Sequence, residues 1–311
     1  MTPIIEPSEI VIRSAVPEAW TDALKLLFQG LPEDMRGRQL EASLDQFRAE
    51  PITAAGLLEA LSNDSRVGAV WLQLQVGRVA NLWPPQAAAN AGSQADAVAQ
   101  KLLTATIELA VRAKSRMIQA LLPTDAEREA GRLRTAGFEH IADLLYLVSP
   151  ASSFPSDAPS DGLEFESFSA GSVARFEAVV ERTYLATCDC PRMNGVRPIQ
   201  EVLEGYRGVG QFDPANWLLV RHGARDVGCL LLANHAEHQL WELVYMGIVP
   251  EARGEGFGVA ATRHAQWLAG QAGAERLVLA VDAANEPALR GYAAAGFVGW
   301  DRRNVWLKRL A

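Results

Sequence analysis

The sequence predicts a mixed α/β (α+β) protein built from two tandem copies of one fold, each a mostly antiparallel mixed sheet flanked by helices. Three observations predict it. Strand-like and helix-like segments interleave along the chain, with hairpins between the strands. Similar segments recur about 160 residues apart. A stretch rich in Ser, Pro, Asp and Gly, 149–162, interrupts the hydrophobic periodicity near the midpoint of the 311 residues, as an exposed linker does.

The repeat rests on two pairs of matching segments. Residues 134–138, RTAGF, resemble residues 293–297, AAAGF, at an offset of 159. Upstream, residues 67–72, VGAVWL, resemble residues 227–232, VGCLLL, at an offset of 160. Two anchors that agree to within one residue indicate a diverged tandem duplication. The predicted organisation is a first domain at 1–148, a linker at 149–162 and a second domain at 163–311.

The elements are clearest in the second half, where turn residues separate segments of different periodicity. β-Branched and aromatic residues predict strands at 217–221, 227–233, 240–249, 276–281 and 298–307. Amphipathic segments predict helices at about 256–272 and at 286–295. Pro287 fits the first turn of the later helix, and Gly296 fits its C-terminal stop.

The composition is that of a globular protein, since 49% of the residues are hydrophobic and 21% are charged. This excludes a disordered or fibrous chain. Lys and Arg number 29, against 37 Asp and Glu, which gives a net charge of -8. This charge has the wrong sign for binding nucleic acid or an anionic membrane, so we expect neither as a partner. We expect a monomer or a homodimer.

The cysteines and the first residues predict a cytoplasmic protein. Cys188, Cys190 and Cys229 are too few and too unevenly placed for a disulfide scaffold. Residues 1–13 lack the basic-then-apolar pattern of a signal peptide, and no apolar run is long enough for a membrane span. Cys188 and Cys190 lack a second Cys or His pair at zinc spacing, so no metal is expected.

The segment 242–258, ELVYMGIVPEARGEGFG, predicts an anion site, because a strand runs into a glycine-rich turn that opens a helix. Glycines allow positive φ and close backbone approach, and the helix N-terminus adds partial positive charge. Arg253 adds a side-chain charge. No Lys-Ser/Thr pair follows Gly258, and the Rossmann order of glycines is absent, so neither of those phosphate motifs applies.

This segment resembles the acetyl-CoA signature of the GNAT (Gcn5-related) N-acetyltransferases, Q/R-x-x-G-x-G/A, with Arg253, Gly256 and Gly258 at its positions. A second segment, 285–297, is similar to the later motif of that family, N-x-x-A-x-x-L-Y-x-x-x-G-F. The resemblance covers roughly residues 163–311. One departure is Gly291, where the family commonly has Leu; it costs helix propensity but touches no reacting group. The two halves together resemble tandem two-domain members of the family.

The resemblance implies that a primary amine of a small molecule attacks acetyl-CoA, a cosubstrate, directly in a ternary complex. Tyr292 is implied as the acid that protonates the departing thiolate, and Glu242 as the base that deprotonates the amine, often through water. An amide of the strand is implied to polarise the thioester carbonyl. The residues implied in acetyl-CoA binding are Met246, Gly247, Ile248, Arg253, Gly254, Glu255, Gly256, Phe257, Gly258 and Asn285.

Other interpretations of these residues stay open. Tyr292 also fits a core aromatic of an amphipathic helix, and Glu242 a solvated strand residue, with Glu237, His235 and His238 as competing bases. A rival function is a non-catalytic acyl-CoA-binding sensor or scaffold module.

The loop at 187–198 is expected to shape the acceptor side of the cleft, because of its position in the fold that the resemblance implies. Asp189 can pair with an ammonium, and Arg192 and Arg197 with a carboxylate. The alternative is a turn-rich loop in which Asp189 caps and the arginines are solvated.

The first half departs from the signature. At the offset of 159, Arg253 corresponds to Gln94, Gly256 to Ala97, Gly258 to Ala99, Tyr292 to Leu133 and, without any indel, Glu242 to Trp83. Methyl groups thus replace the glycines, and Leu133 has no proton to donate. We expect a degenerate domain without catalysis; binding of a second CoA per chain stays open.

Overall fold

The computed structural model describes residues 9–159 and 162–310. Residues 1–8, part of the segment expected to lack a signal, and Ser160 and Asp161 of the predicted linker lie outside the described residues. The chain divides into two compact units. Unit 1 comprises the described residues up to His140 and those from Val305 onward, and unit 2 is Ile141–Asn304.

Unit 1 is a mixed sheet with helices packed on it. Its strands are β1 (Ile10–Ser14), β2 (Leu57–Ser62), β3 (Ser65–Gln75), β4 (Val79–Ala87) and β5 (Met117–Pro123), and its helices are α1 (Trp20–Leu27), α2 (Glu33–Ala49), α3 (Ala95–Arg112) and α4 (Glu127–Thr135). The strands lie in the order β1-β2-β3-β4-β5, followed by the end of the chain's last strand. Pairing is antiparallel from β1 to β4 and parallel between β4 and β5.

Unit 2 repeats this plan. Its strands are β6 (Glu139–Pro150), β7 (Leu163–Ser167), β8 (Trp217–His222), β9 (Arg225–His235), β10 (Leu240–Ile248), β11 (Arg276–Asp282) and β12 (Val298–Arg309), and its helices are α5 (Val173–Tyr184), α6 (Ile199–Arg207), α7 (Phe257–Gln271) and α8 (Glu286–Ala294). The order is β12-β6-β11-β10-β9-β8-β7, with β10 and β11 parallel. β6 begins and β12 ends in unit 1.

Apolar faces hold each unit together. In unit 2 the inward residues of β11, Leu277, Leu279 and Val281, pack with α7 and with Tyr292 and Phe297 in one buried core. In unit 1, Leu102 and Leu103 of α3 are fully buried in a core with the central strands. Burial of one Leu side chain contributes roughly 1.5–3 kcal/mol, so these helices are fixed by packing on the sheet rather than by propensity.

The strands of the two sequence halves match one for one in length. The pairs β1 and β7, β2 and β8, β3 and β9, β4 and β10, β5 and β11, and β6 and β12 each have equal numbers of residues. All but the first pair are offset by 159 to 161 positions, and α4 and α8, nine residues each, by 159. The predicted mixed α/β class is confirmed, and the predicted elements of the second half end within two residues of the observed ones.

The unit boundaries differ from the boundaries predicted at 148 and 163. β6 continues to Pro150, two residues into the predicted linker, and pairs with β11 from Leu144 to Pro150. Leu147 of β6 is buried in the core of unit 2. The difference arises because β6 follows the first repeat in sequence, whereas its pairing partner is in the second.

Candidate functional site

The site begins where two parallel strands separate. β10 pairs with β11 over three residues, Leu240 to Glu242 against Arg276 to Val278, and the pairing then ends. A bulge at Val244 shifts the register of β10 against β9. From Leu243 to Ile248 one edge of β10 pairs with β9, and residues of that stretch line a cavity that also contains Ala280 and Val281 of β11. The open edge can therefore hydrogen-bond an extended ligand as another strand would.

Close packing of α5 on β10 positions this edge. A Cβ atom on Gly247 would lie 2.5 Å from the Thr183 Cβ, so a larger residue there would push the helix away. The Thr183 Oγ1 lies 2.7 Å from the Tyr245 hydroxyl. The Tyr206 ring stacks on the Tyr245 ring at 5.4 Å, and the Tyr206 and Tyr184 hydroxyls are 3.1 Å apart. Burial raises the pKa of Tyr184 to about 12, so this wall of the site is neutral at ordinary pH.

A glycine turn joins β10 to α7. Gly254 and Gly256 have φ of +88° and +82°, which L side chains rarely adopt. Gly256 is the N-cap residue of α7, and the first turn of that helix contains no acidic residue. Gly254, Gly256, Phe257 and Gly258 line the cavity, so the positive end of α7 faces it. This is a cradle for an anion such as a pyrophosphate. Glu255 is exposed and is not among the lining residues.

Arg253 lies in the cavity wall and braces two segments. Its Nε donates to the Ile248 carbonyl at 3.0 Å, and its two terminal nitrogens donate to the Ala186 and Thr183 carbonyls at 2.9 Å. Five N–H groups are available on a guanidinium, so two remain for an anion. The side chain thus ties the end of α5 to the glycine turn, in addition to adding positive charge.

The cavity has a volume of about 540 Å³, and Tyr292 and Asn285 contribute to its wall. Tyr292 is 6% exposed, and its ring packs 5.6 Å from that of Phe297. Burial, and then the negative charge of Asp189, raise the pKa of Tyr292, so the phenol keeps its proton. The Asn285 Oδ1 accepts from the Ala288 N–H at 3.3 Å and caps α8.

Glu242 lies one residue before the first cavity-lining residue of β10 and is not itself among the lining residues. Its Oε2 is 2.9 Å from Nε2 of His235 on β9, and its side chain is 35% exposed. The structure therefore joins Glu242 to His235, one of its sequence competitors. A carboxylate paired with an imidazole is a means of relaying a proton.

The loop after α5 is fastened to the end of β11 by two carboxylates. The Asp189 Oδ1 accepts from the Asp282 N–H at 3.0 Å, and the Asp282 Oδ2 accepts from the Cys190 N–H, also at 3.0 Å. Asp189 lines the cavity and also hydrogen-bonds the Asn285 amide. Asp282 is 4% exposed, and its Oδ1 also accepts a hydrogen bond from the Ala284 N–H. The link of Asp282 to Cys190 has no sequence signal because 92 positions separate the two residues.

The two arginines of the predicted acceptor loop lie apart from the cavity. Arg192 is on an exposed turn, and Arg197 donates to the Glu201 carbonyl at 3.2 Å; neither is a lining residue. Burial lowers the pKa of Arg197. Thr183 and Tyr245 are site residues that the sequence reasoning missed, because their contact depends on how α5 crosses β10.

Comparison with known proteins identifies this domain. Residues 184–297 match the family model "Acetyltransferase (GNAT) family". The second half of the chain carries a GNAT-family domain. The predicted family is thereby confirmed for this domain.

A mycothiol acetyltransferase of Streptomyces bingchenggensis (strain BCW-1) is 37% identical over 103 residues. That match covers 32% of this chain and 32% of the relative, so the chain matches about a third of that protein's length.

Two solved structures show that the GNAT fold extends along the chain. A GCN5-related N-acetyltransferase from Sphaerobacter thermophilus has a TM-score of 0.65 at 16% identity, covering 97% of this chain and 96% of that one. A tandem GNAT protein from the clavulanic acid biosynthesis pathway has a TM-score of 0.51 at 15% identity, covering 97% and 98%. Both halves of this chain thus have the fold.

The described part of the chain, residues 9–159 and 162–310, contains no group of three or more His, Cys, Asp or Glu side chains arranged to hold a metal ion. No helix within it is long and apolar enough to cross a membrane.

Proposed function

We propose that this protein is an acetyl-CoA-dependent N-acetyltransferase that transfers the acetyl group to a primary amine of a small molecule, by direct attack in a ternary complex. The observation that carries the proposal is the cavity between the parting strands β10 and β11. It joins an open strand edge, a glycine turn at the N-terminus of α7 and the buried phenol of Tyr292. The acceptor is given as a class because the match to a mycothiol acetyltransferase covers only a third of the chain.

The residues of the cavity fit acetyl-CoA. The turn from Gly254 to Gly258 would hold the pyrophosphate through backbone N–H groups and the dipole of α7. The edge of β10 from Met246 to Ile248 would pair with the pantetheine arm. Asn285, held by Asp189 and by Ala288, would contact the same arm from the opposite wall.

The acetyl transfer needs stabilisation of an oxyanion and two proton movements. An amide near Met246 would donate to the thioester oxygen, a contribution of about 3–4 kcal/mol when such a donor is preorganised. The acceptor ammonium loses one proton, its nitrogen forms the C–N bond, and the C–S bond breaks. The nitrogen then loses a second proton, which replaces the proton that the departing sulfur takes from the protein, so that one proton per turnover is released to solvent. Tyr292, neutral and buried, would donate the hydrogen bond and the proton to that sulfur.

Glu242 would take the proton of the ammonium through water. Glu242 is not a lining residue, so a water molecule would bridge it to the ammonium, and its contact with His235 would supply a path onward to solvent. Both side chains are partly exposed, which suits release of the proton.

The test is a CoA-release assay with acetyl-CoA and a panel of small primary amines. Release that depends on the amine, with the acetylated amine detected by mass spectrometry, is expected. Failure of every amine, together with tight CoA binding by calorimetry, would contradict the proposal and favour the rival function, an acyl-CoA sensor. If the protein is a sensor, the wild type and Tyr292→Phe should bind CoA with equal affinity, and neither should catalyse turnover.

A further inference from the structure

We infer that Asp189 binds the ammonium group of the acceptor, and that the acceptors are therefore small primary amines that enter the site as cations. This inference rests on the proposed function, because it assigns a residue to the acceptor side of the same cavity.

Asp189 is placed for this role by the loop that follows α5. Asp189 lines the cavity, as do the two preceding residues, Thr187 and Cys188. Tyr292 lines the same cavity, and the negative charge of Asp189 contributes to the raised pKa of its phenol. A ligand atom in contact with Asp189 would thus approach the acetyl group from the side of the loop that follows α5 rather than from the glycine turn.

The groups that donate hydrogen bonds to Asp189 are neutral. Its carboxylate accepts from the Asp282 N–H at 3.0 Å and from the Asn285 amide. Among residues 9–159 and 162–310, no Lys, Arg or His side chain pairs with it. A carboxylate has about four lone-pair positions, so acceptor capacity remains for a ligand.

A half-buried carboxylate in this setting favours a cation. Burial, with the nearby charge of Asp282, raises the pKa of Asp189, which means that its charged form is poorly stabilised by the protein alone. An ammonium in the cavity would restore that stabilisation through a charge-assisted hydrogen bond. A neutral or anionic acceptor would gain nothing comparable.

The roles of Asp189 and Glu242 then separate. Asp189 touches the cavity and would bind the ammonium, whereas Glu242 contacts His235 and would accept its proton through water. Loss of the first should therefore raise the KM for the acceptor, and loss of the second should lower kcat.

The experiment compares Asp189→Asn with the matched variant Asp282→Asn in steady-state kinetics with the best primary amine of the panel. Each change removes one charge and one acceptor oxygen from the same brace, but Asp282 is not a cavity-lining residue. For Asp189→Asn we expect the KM for the amine to rise at least tenfold, with kcat within threefold and the KM for acetyl-CoA within twofold. For Asp282→Asn we expect the KM for the amine to stay within threefold.

Two results would overturn the assignment. One is a KM for the amine within twofold of wild type in Asp189→Asn. The other is an equal rise in both variants with an equal fall in melting temperature, which would mean that Asp189 acts by bracing the loop. Absence of turnover by the wild-type protein with every amine would instead contradict the proposed function, and it is seen before any variant is compared.

Discussion

The glycine turn of unit 2 and the corresponding segment of unit 1 share a backbone plan but differ in chemistry. In unit 1, β4 parts from β5 after Asn81 and Gln119, as β10 parts from β11 after Glu242 and Val278. The counterpart of Glu242 is therefore Asn81 rather than Trp83, because the strands have an offset of 161. The Gln119 amide donates to the Asn81 Oδ1 at 2.7 Å, so this pair carries no charge.

The edge of β4 also differs from that of β10. Gly68 pairs with Ala87 as Gly228 pairs with Ile248, so Pro85 is the counterpart of Met246. Proline has no N–H group, and unit 1 therefore has no amide to donate to a thioester oxygen at this position.

The helices that follow begin differently as well. The first turn of α3 contains Asp96, whose carboxylate is 2.7 Å from Arg132 and 3.1 Å from Arg128 of α4. The first turn of α7 contains no acid. The positive end of the α3 dipole thus already has a carboxylate beside it, which two arginines hold in place. The two units therefore keep the same backbone plan although these side chains differ.

The sharpest test of this contrast is Tyr292, whose counterpart in unit 1 is Leu133. In Tyr292→Phe, kcat should fall about 100-fold, since proton donation typically contributes that much or more, while the KM for acetyl-CoA stays the same. Steady-state kinetics measure both. The matched control is Tyr146→Phe, a half-buried phenol on β6 outside the cavity lining, which should retain wild-type kcat. Equal losses in both variants would speak against a role in the reaction.

The glycine turn provides the next largest effect. Gly256→Ala places a methyl group at φ +82°, which costs about 1–2 kcal/mol, and crowds the bound phosphate. We expect affinity for CoA to fall about tenfold or more in calorimetry. Gly223→Ala is the control, because that residue also has positive φ, with open space around it in the turn between β8 and β9. Gly223→Ala should be less stable than the wild type but should bind CoA with the same affinity.

The same titration tests unit 1. If unit 1 bound CoA, Gly256→Ala would leave a second site of unchanged affinity in the binding isotherm. We expect one CoA per chain in the wild type, because of Pro85 and Asp96, and no residual tight site in the variant.

The sequence predicted the parts of the site that are local. The two motifs lie within seventeen and thirteen residues of chain, and all their glycines except Gly296 line one cavity together with Tyr292 and Asn285. Periodicity and turn residues likewise predicted the strands and helices of the second half, because these depend on neighbours in sequence.

Contacts between distant segments could not be predicted. Arg253 was expected to add charge, and the structure shows in addition that it braces carbonyls about seventy positions earlier in the chain. The tie between Asp189 and Asp282 spans 93 positions. The pairing of β6, which follows the first repeat, with β11 of the second repeat could not be predicted either. Alternating apolar residues do not specify which of two similar repeats a strand pairs with.

A smaller kinetic effect is expected at Glu242, the charged counterpart of the neutral Asn81. In Glu242→Gln, kcat should fall about tenfold at neutral pH, a loss below the usual range for a direct base because the proton travels through water. Steady-state kinetics at neutral pH measure it. Glu237→Gln, an exposed neighbour on the turn before β10, should match the wild type. A larger loss in Glu237→Gln than in Glu242→Gln would reassign the base.

The smallest effect concerns Asp96. Hydrogen bonds from Arg132 and Arg128 lower the pKa of Asp96, so its folded-state pKa lies below the ordinary value. The stabilisation is thus present above about pH 4 and is lost as the pH falls through the folded-state pKa. Asp96→Asn should have a slightly lower melting temperature than the wild type at pH 7, and the difference should shrink as the pH falls below about 4.

The change in Asp96→Asn should be small because the carboxylate is 70% exposed and water screens the pairs. Asp45→Asn, an exposed partner of Arg48 on α2, is the control for a general loss of charge. Calorimetry on Asp96→Asn also tests the contrast between the units. No second CoA site should appear, since Pro85 still lacks its N–H group. A second site in this variant would mean that a single carboxylate separates the two units, and the edge of β4 would then be competent to bind CoA.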